Sequence, residues 1–524
     1  MSKDAIIIGG GHNGLVCAGY LAKAGFAVRV IEKNHQVGGP ASTEEFYPGF
    51  RNSVGAYTVS LLNPKVINDL ELHKHGMTIV ERKVNNVFPS NDNNFLAFVN
   101  DRDELQKEIG RFSAHDAAQL DRFLNDISMV SDLISELLLE TPPNVGNGLR
   151  EVIKTALLGN RLRKLSVDES RIVLDIFTKS VSDFLDYYFE DTRVKAAFAF
   201  DGLVGTYGDT KQVGTAYVLI HHAFGEVNGK KGLWGHALGG MGAITQAMAS
   251  FAQSQGVQIE LNRSVSEVVV EQGKAIGVKL QDGEILESNC IVSNLNPTLL
   301  YKKLIEPSHL SDEFNRRINN YKNGSGTLRM NVALKEIPRF SCFENQSRTS
   351  DDHLTSGIII GPSMDYLDSA FNDAELNGWS SEPIIEMLIP STLDESLAPP
   401  GQHVASLFCH QFDPDLDWDQ YRDQAVETVL NQVEKFAPGF RDLILGQQVL
   451  TPLDLERKFG LVKGDIFHGK LTLDQMFSAR PMLGYGNYRS PIRNLYMCGS
   501  GTHPGGGVTG IPGHNAAREI LKDS

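Results

Sequence analysis

Three glycine groups in this chain carry residue types at spacings that suit the handling of a phosphate-bearing cofactor. The first is Gly9-x-Gly11-x-x-Gly14, with Glu32 lying 18 residues beyond Gly14. Glycines at these spacings give a tight turn and let backbone N–H groups approach a pyrophosphate, while a carboxylate at the later position accepts the hydroxyls of an adenosine ribose. An acid there disfavours a 2′-phosphate, so FAD or NAD fits better than NADP. The second group is Cys498-Gly499-Ser500-Gly501-Thr502-His503-Pro504-Gly505-Gly506-Gly507, and the third is Gly239-Gly240-Met241-Gly242. His503, His468 and Asp474 are the candidate proton acceptors near these segments, with His503 ranked first. Each also has a structural reading, as a backbone anchor or a helix cap. The pair His221-His222 suggests a metal, but adjacent side chains point to different sides of a helix or strand, and no metal is expected.

The elements around these residues must place them. Ala5 to Ile8 reads as a buried parallel strand, Leu15 to Ala24 as the helix whose N-terminus faces the phosphates, and Ala27 to Ile31 as the second strand. Val37-Gly38-Gly39-Pro40-Ala41-Ser42 is a further turn that lets the chain pass close to a cofactor. Leu120 to Leu138 repeats apolar residues every three or four positions and predicts an amphipathic helix ended by Thr141-Pro142-Pro143; Asp168 to Ala199 is a further helical region. Ala243 to Gln255 predicts a helix. Four strands, Gln258 to Leu261, Val265 to Glu271, Ala275 to Leu280 and Glu284 to Glu287, suggest a small meander, after which Ile291 to Asn294 returns to the main sheet. Leu328 to Leu334 and Ile384 to Ile389 read as strands, Asp419 to Phe436 as an acidic helix, and Ile511 to Ile520 as a helix with Pro512 in its first turn.

The fold expected is α/β: a Rossmann-type, glutathione-reductase-like cofactor domain built from 1–85, 225–300 and 455–524, interleaved with an α+β substrate domain of 86–224 and 301–454. A chain of 524 residues exceeds one simple core. Its 49 basic against 64 acidic residues, a net charge of −15, argue against a nucleic-acid partner. Five scattered cysteines without a C-x-x-C pair argue against a redox disulfide or zinc cluster. Neither a secretion signal nor a spanning helix is expected.

Four segments together carry a resemblance. Gly9 to Ala18, Gly239-Gly240-Met241-Gly242, Leu473-Asp474-Gln475-Met476 with Arg480-Pro481, and Asn494-Leu495-Tyr496 running into Gly501 to Gly506 resemble the phytoene-desaturase-like FAD oxidoreductases. The runs Ala216 to His222 and Gly464 to Gly469 are most similar to the pyridine nucleotide-disulfide oxidoreductase domain-containing branch, with the desaturase-like β-carotene ketolases next. The resemblance spans Ala5 to Leu521. It implies FAD as cofactor, held by Gly9, Gly11 and Gly14 with His12 and Asn13 at the pyrophosphate. Glu32 and Lys33 would lie at the ribose, and Gly38, Gly39, Ala41 and Ser42 along the second turn. It further implies that the backbone of Val268 meets the adenine, that Gly499, Ser500 and Gly501 pass the ribityl chain, and that Val508, Gly510, Ile511 and Pro512 lie beside the isoalloxazine. The dipole of the last helix would favour charge on the reduced ring. Pro40 departs from amine-oxidase-like relatives, which often place an arginine there, and their substrate-flanking aromatic pair has no counterpart beside Gly505-Gly506-Gly507.

The expected activity is removal of hydride from a hydrophobic small molecule, carotenoid-, polyene- or lipid-like, with proton loss from the neighbouring carbon. With one complete dinucleotide unit in the sequence, oxygen or a quinone is the expected acceptor. A quinone would require transient membrane contact. The expected location is cytoplasmic with such contact, or the mitochondrial matrix in a eukaryote; the oligomeric state is left open. Two alternatives stay open: a flavin-binding, lipid-carrying or interaction protein without turnover, and an amine-oxidase-like enzyme.

Overall fold

The computed structural model describes residues 3–144, 149–344 and 349–524. Two sheets organise the molecule. The first is parallel and five-stranded, in the order Gln258–Glu260, Ala27–Ile31, Asp4–Ile8, Ile291–Ser293, Leu495–Met497. Its central strand is apolar without alternation because both faces are covered. Ala5 and Ile7 pack with Cys17, Leu21 and the C-terminal helix residues Ala516 and Ile520. Ile6 and Ile8 face Val268, Ala275 and Leu300 on the other side.

The helix expected from Leu15 starts earlier, at His12, and runs to Lys23. Gly11 is its N-cap, so the last glycine of the turn already lies in the first helical turn. Gln258–Glu260, read from the sequence as the first meander strand, instead closes the edge of the parallel sheet, pairing Gln258 with Arg29. The crossover helix Met241–Ser254 delivers it there, and the meander has three strands, Val265–Glu271, Lys274–Leu280 and Ile285–Glu287.

The second sheet has seven strands in the order Ile444–Leu450, Thr327–Leu334, His403–His410, Ile385–Leu388, Gly357–Ile360, Val84–Pro89, Phe95–Val99. All neighbours are antiparallel except Gly357–Ile360 with Val84–Pro89. One face buries Leu328, Met330, Val332, Met387, Leu407 and Cys409 under the helix Trp418–Phe436. The opposite face looks towards a helical layer. There the amphipathic helix runs from Ala114 to Leu138, capped by Ser113 Oγ accepting from the Asp116 N–H, and buries Leu120, Phe123, Val130 and Ile134. The region Asp168 to Ala199 is broken into Val167–Thr178, Val181–Leu185 and Thr192–Leu203. Among the described residues, no helix is long and apolar enough to cross a membrane.

Candidate functional site

A cavity of about 430 Å³ runs from the C-terminal ends of the parallel strands Asp4–Ile8 and Ala27–Ile31 to the inner face of the mixed sheet. That volume lies within the range of roughly 300–1,000 Å³ in which organic ligands are enclosed. Gly9, Gly11, His12 and Glu32 line one end; Tyr57, Arg329, Glu386 and Phe408 line the other.

At the first end the glycines are there for space. A Cβ on Gly11 would stand 2.7 Å from Asn294 Nδ2, and one on Gly14 would fall on the Gly9 carbonyl oxygen. The helix behind them has no side-chain cap, so its first N–H groups and positive dipole end are available to an anion. Glu32 is held at the end of its strand by N–H groups of Gly10 (2.7 Å) and Asn34 (2.9 Å), leaving lone pairs for two hydroxyls. Asn13 Nδ2 donates to Ser500 Oγ at 3.1 Å, which joins the first and last glycine segments. His12 Nε2, Asn13 Oδ1, Ser42 Oγ and His468 Nδ1 are buried without a partner in the protein. Burial lowers the pKa of His12 to about 4 and that of His468 to about 3, so both imidazoles are neutral and each carries an N–H. Helix terminus, glycine cradle, ribose carboxylate and unsatisfied polar atoms together fit a dinucleotide.

The loop carrying His468 and the loop carrying Ser500 are clamped by one side chain. Arg480 is fully buried and donates to the carbonyls of Ser500 (2.8 and 3.1 Å), Phe467 (2.7 Å), Gly469 (3.1 Å) and Gln475 (3.2 Å). It satisfies backbone groups that would otherwise be buried without partners.

The far end is built by strand register. Arg329 pairs with Phe408, and Phe408 with Glu386, so three adjacent strands set these side chains in one row on the cavity face. Glu386 accepts a hydrogen bond from the Tyr57 hydroxyl. The Arg329 guanidinium lies 4.4 Å from the Tyr57 ring centre and donates to Leu407 O (2.7 Å) and Ser406 Oγ (2.8 Å). Arg82 is buried behind Thr58 and donates to its Oγ1 at 2.6 Å. Arg82 Nη1 and Arg329 Nε have no partner. Asp201 also lines the cavity, and burial, with Glu386 nearby, raises its pKa to about 7. Burial raises that of Glu386 as well, against the pull of Tyr57, Arg82 and Arg329. Phe200, Phe408 and Trp234 supply the apolar wall.

Of the residues expected at the cofactor, Gly9, Gly11, His12, Glu32, Lys33, Gly39, Ala41, Ser500 and Val508 line the cavity. Asn13, Gly14, Gly38, Ser42, Gly499, Gly501, Gly510, Ile511 and Pro512 lie behind that lining. Several of these are packing positions: a Cβ on Gly38 would come within 2.6 Å of Thr245 Oγ1, and one on Gly499 within 2.6 Å of Asn294 O. Val268 does not reach the cavity. Its N–H is already given to Leu304 O at 2.7 Å, and Arg263, Ser264 and Val265 line the cavity from the meander instead. His503 is also away from it, with Nε2 3.3 Å from Leu137 O and its ring against Phe477. Asp474 is exposed and paired with Lys322 at 2.7 Å. Of the three candidate proton acceptors, only His468 faces the cavity, at its cofactor end. His221 and His222 stand edge to face, 90° apart, and no group of three or more metal-ligating side chains is placed to hold an ion among the described residues. Tyr57, Asp201, Arg329 and Glu386 were not singled out from the sequence. The available signal was the alternation in Leu328-Arg329-Met330-Asn331-Val332, which sets charge on one face of an otherwise apolar central strand.

The family model for flavin-containing amine oxidoreductases matches residues 14–521. The chain is 36% identical to the rat pyridine nucleotide-disulfide oxidoreductase domain-containing protein 2, covering 99% of this chain and 93% of that protein. It is 27% identical to a lycopene-forming phytoene desaturase of Pseudescherichia vulneris, covering 97% and 96%. A putrescine oxidase triple-mutant structure shares the fold, with a TM-score of 0.65 at 15% identity over 100% of this chain and 99% of that one. The chain belongs to the flavin-containing amine oxidoreductase family, as an oxidoreductase of Rossmann-type α/β fold whose cofactor is FAD.

Proposed function

We propose that this protein removes two hydrogens from an apolar organic molecule to form a C=C bond. The observation that carries this reading is the shape of the cavity, which continues from the dinucleotide groove into an interior volume walled by Phe200, Phe408 and Trp234. The whole-length likeness to a phytoene desaturase supports it. When bound, FAD supplies the acceptor for the hydride equivalent. Gly9, Gly11, the first turn of His12–Lys23 and Glu32 would hold its pyrophosphate and ribose, and the loops clamped by Arg480 would follow its length.

The chain must then supply dryness, orientation and a destination for the proton. Aromatic walls exclude water and align an extended substrate by contact rather than by hydrogen bonds. Of the groups able to take a proton from the carbon beside the oxidised one, His503 and Asp474 lie outside the cavity. Glu386, fixed by Tyr57, lies inside it. Its raised pKa makes it a better base than an exposed carboxylate. Oxygen or a quinone serves as the final oxidant in this reading.

The test is product analysis. FAD-loaded protein incubated with polyene and terpene hydrocarbons, in air or with a soluble quinone, should yield a product two mass units lighter. A product formed only from amines, as aldehyde, would overturn the reading in favour of amine oxidation.

A further inference from the structure

The aromatic wall accounts for an apolar substrate; the charged row beneath it does not follow from one. Arg329 and Arg82 are each only 2% exposed, and Glu386 is 6% exposed. Buried guanidinium groups require compensation, because an unpaired charge away from water is costly. Here the compensation is incomplete: two fixed positive charges face one strongly engaged carboxylate. Glu386 accepts from Tyr57, while Arg329 is met by the neutral acceptors Leu407 O and Ser406 Oγ, and Arg82 by the neutral Thr58. One buried nitrogen of each guanidinium, Nη1 of Arg82 and Nε of Arg329, is left without an acceptor. Asp201, also on the cavity lining and near Glu386, is a second acid that burial holds towards its neutral form.

From this we infer that the substrate is an apolar chain ending in an anionic oxygen group, such as a carboxylate, which is received by Arg329 with Arg82 behind it. The inference rests on the reading that the inner half of the cavity is the substrate half. An incoming carboxylate would offset the surplus positive charge of the cluster and accept from the guanidinium of Arg329 where that residue lines the cavity. Charge-assisted bonds of this kind are about twice as strong as neutral ones. An ammonium would instead become a third cation among the two guanidiniums, so the same cluster disfavours amines. Asp201 in its neutral form can donate its own O–H to the ligand, and Asn86, also lining the cavity, adds a neutral donor.

The experiment is a three-ligand titration of the FAD-loaded protein with decanoate, methyl decanoate and decylamine. Binding is followed through the flavin absorbance envelope and through tryptophan fluorescence, since Trp234 lines the cavity. Decanoate should bind at least tenfold more tightly than its methyl ester, with the amine no tighter than the ester. Arg329→Gln should reduce the preference to less than threefold while the ester's affinity is kept. Should Arg329→Gln fail to retain FAD, the wild-type comparison still decides. Equal binding of acid and ester, or a preference for the amine, would overturn the anionic assignment and leave the apolar cavity standing. No perturbation by any of the three would overturn both this inference and the substrate reading beneath it.

Discussion

Replacing Gly14 with alanine would drive a methyl group onto the Gly9 carbonyl oxygen, at the point where helix and strand must meet. The expected result is protein purified without bound flavin. Gly256→Ala is the control: its φ of +91° makes alanine cost about 1–2 kcal/mol, but nothing lies within 4 Å, so flavin content should be unchanged. Glu32→Ala removes the charged acceptor for the ribose. At about 1.5–3 kcal/mol for hydrogen bonds to a charged group, FAD affinity should fall roughly 10- to 150-fold, as measured by fluorescence titration of the apoprotein. A third residue-scale expectation concerns pH. Asp201 lies near Glu386, with His222 beside its backbone; its raised pKa of about 7 means that it gains charge as pH rises through neutrality. His222, lowered by burial to about 4, stays neutral there. Decanoate should therefore bind more weakly at pH 8 than at pH 6. Asp201→Asn should flatten that dependence, and an unchanged slope would assign it to Glu386.

Elements transmit these roles across long sequence separations. The row Arg329, Phe408, Glu386 exists only because three strands align in register, and Tyr57 reaches Glu386 across 329 positions of sequence. Glu386→Ala would leave the buried Tyr57 hydroxyl without its acceptor and remove the carboxylate charge near the two guanidiniums, and a loss of at least about 1–3 kcal/mol of stability is expected in denaturant unfolding. Glu386→Gln should cost less, since the Tyr57 hydroxyl keeps an acceptor. Arg480→Leu would take a donor from five carbonyl oxygens, those of Phe467, Gly469, Lys470, Gln475 and Ser500, at about 1–3 kcal/mol for each group left unsatisfied. Because those carbonyls belong to the loops presenting His468 and Ser500, flavin should be lost together with the drop in melting temperature. The same scale explains what could be read in advance. The cofactor turn was legible because strand, glycines, helix and acid lie within 32 residues and each has a local signature. Val268 lies off the cavity lining, which takes Val265 from the same strand, and the strand at Gln258 was assigned to the meander because strand pairing is not written locally. The charged row escaped notice for the same reason: no sequence window contains it.

At the scale of the molecule, the chain crosses between the two sheets repeatedly, and the ligand cavity lies where they meet. Asn13 and Ser500, joined by a hydrogen bond, are 487 positions apart, so the cofactor groove closes only when the last segment has docked. Bound FAD should therefore stabilise the whole assembly. At 100 times its dissociation constant the linkage amounts to about 2.7 kcal/mol, visible as a higher melting temperature for holo- than for apoprotein. Because each sheet draws its strands from several separated segments, no single cut of the chain separates one sheet from the other. The central claim is that one continuous cavity brings FAD to an apolar substrate, and it is tested most directly by the visible spectrum of the FAD-loaded protein under anaerobic conditions. Addition of a polyene-rich apolar extract should bleach the flavin band, and readmission of oxygen or a quinone should restore it, whereas an aliphatic amine should leave it unchanged. Bleaching by the amine alone, or a protein that remains colourless after reconstitution with FAD, would contradict it.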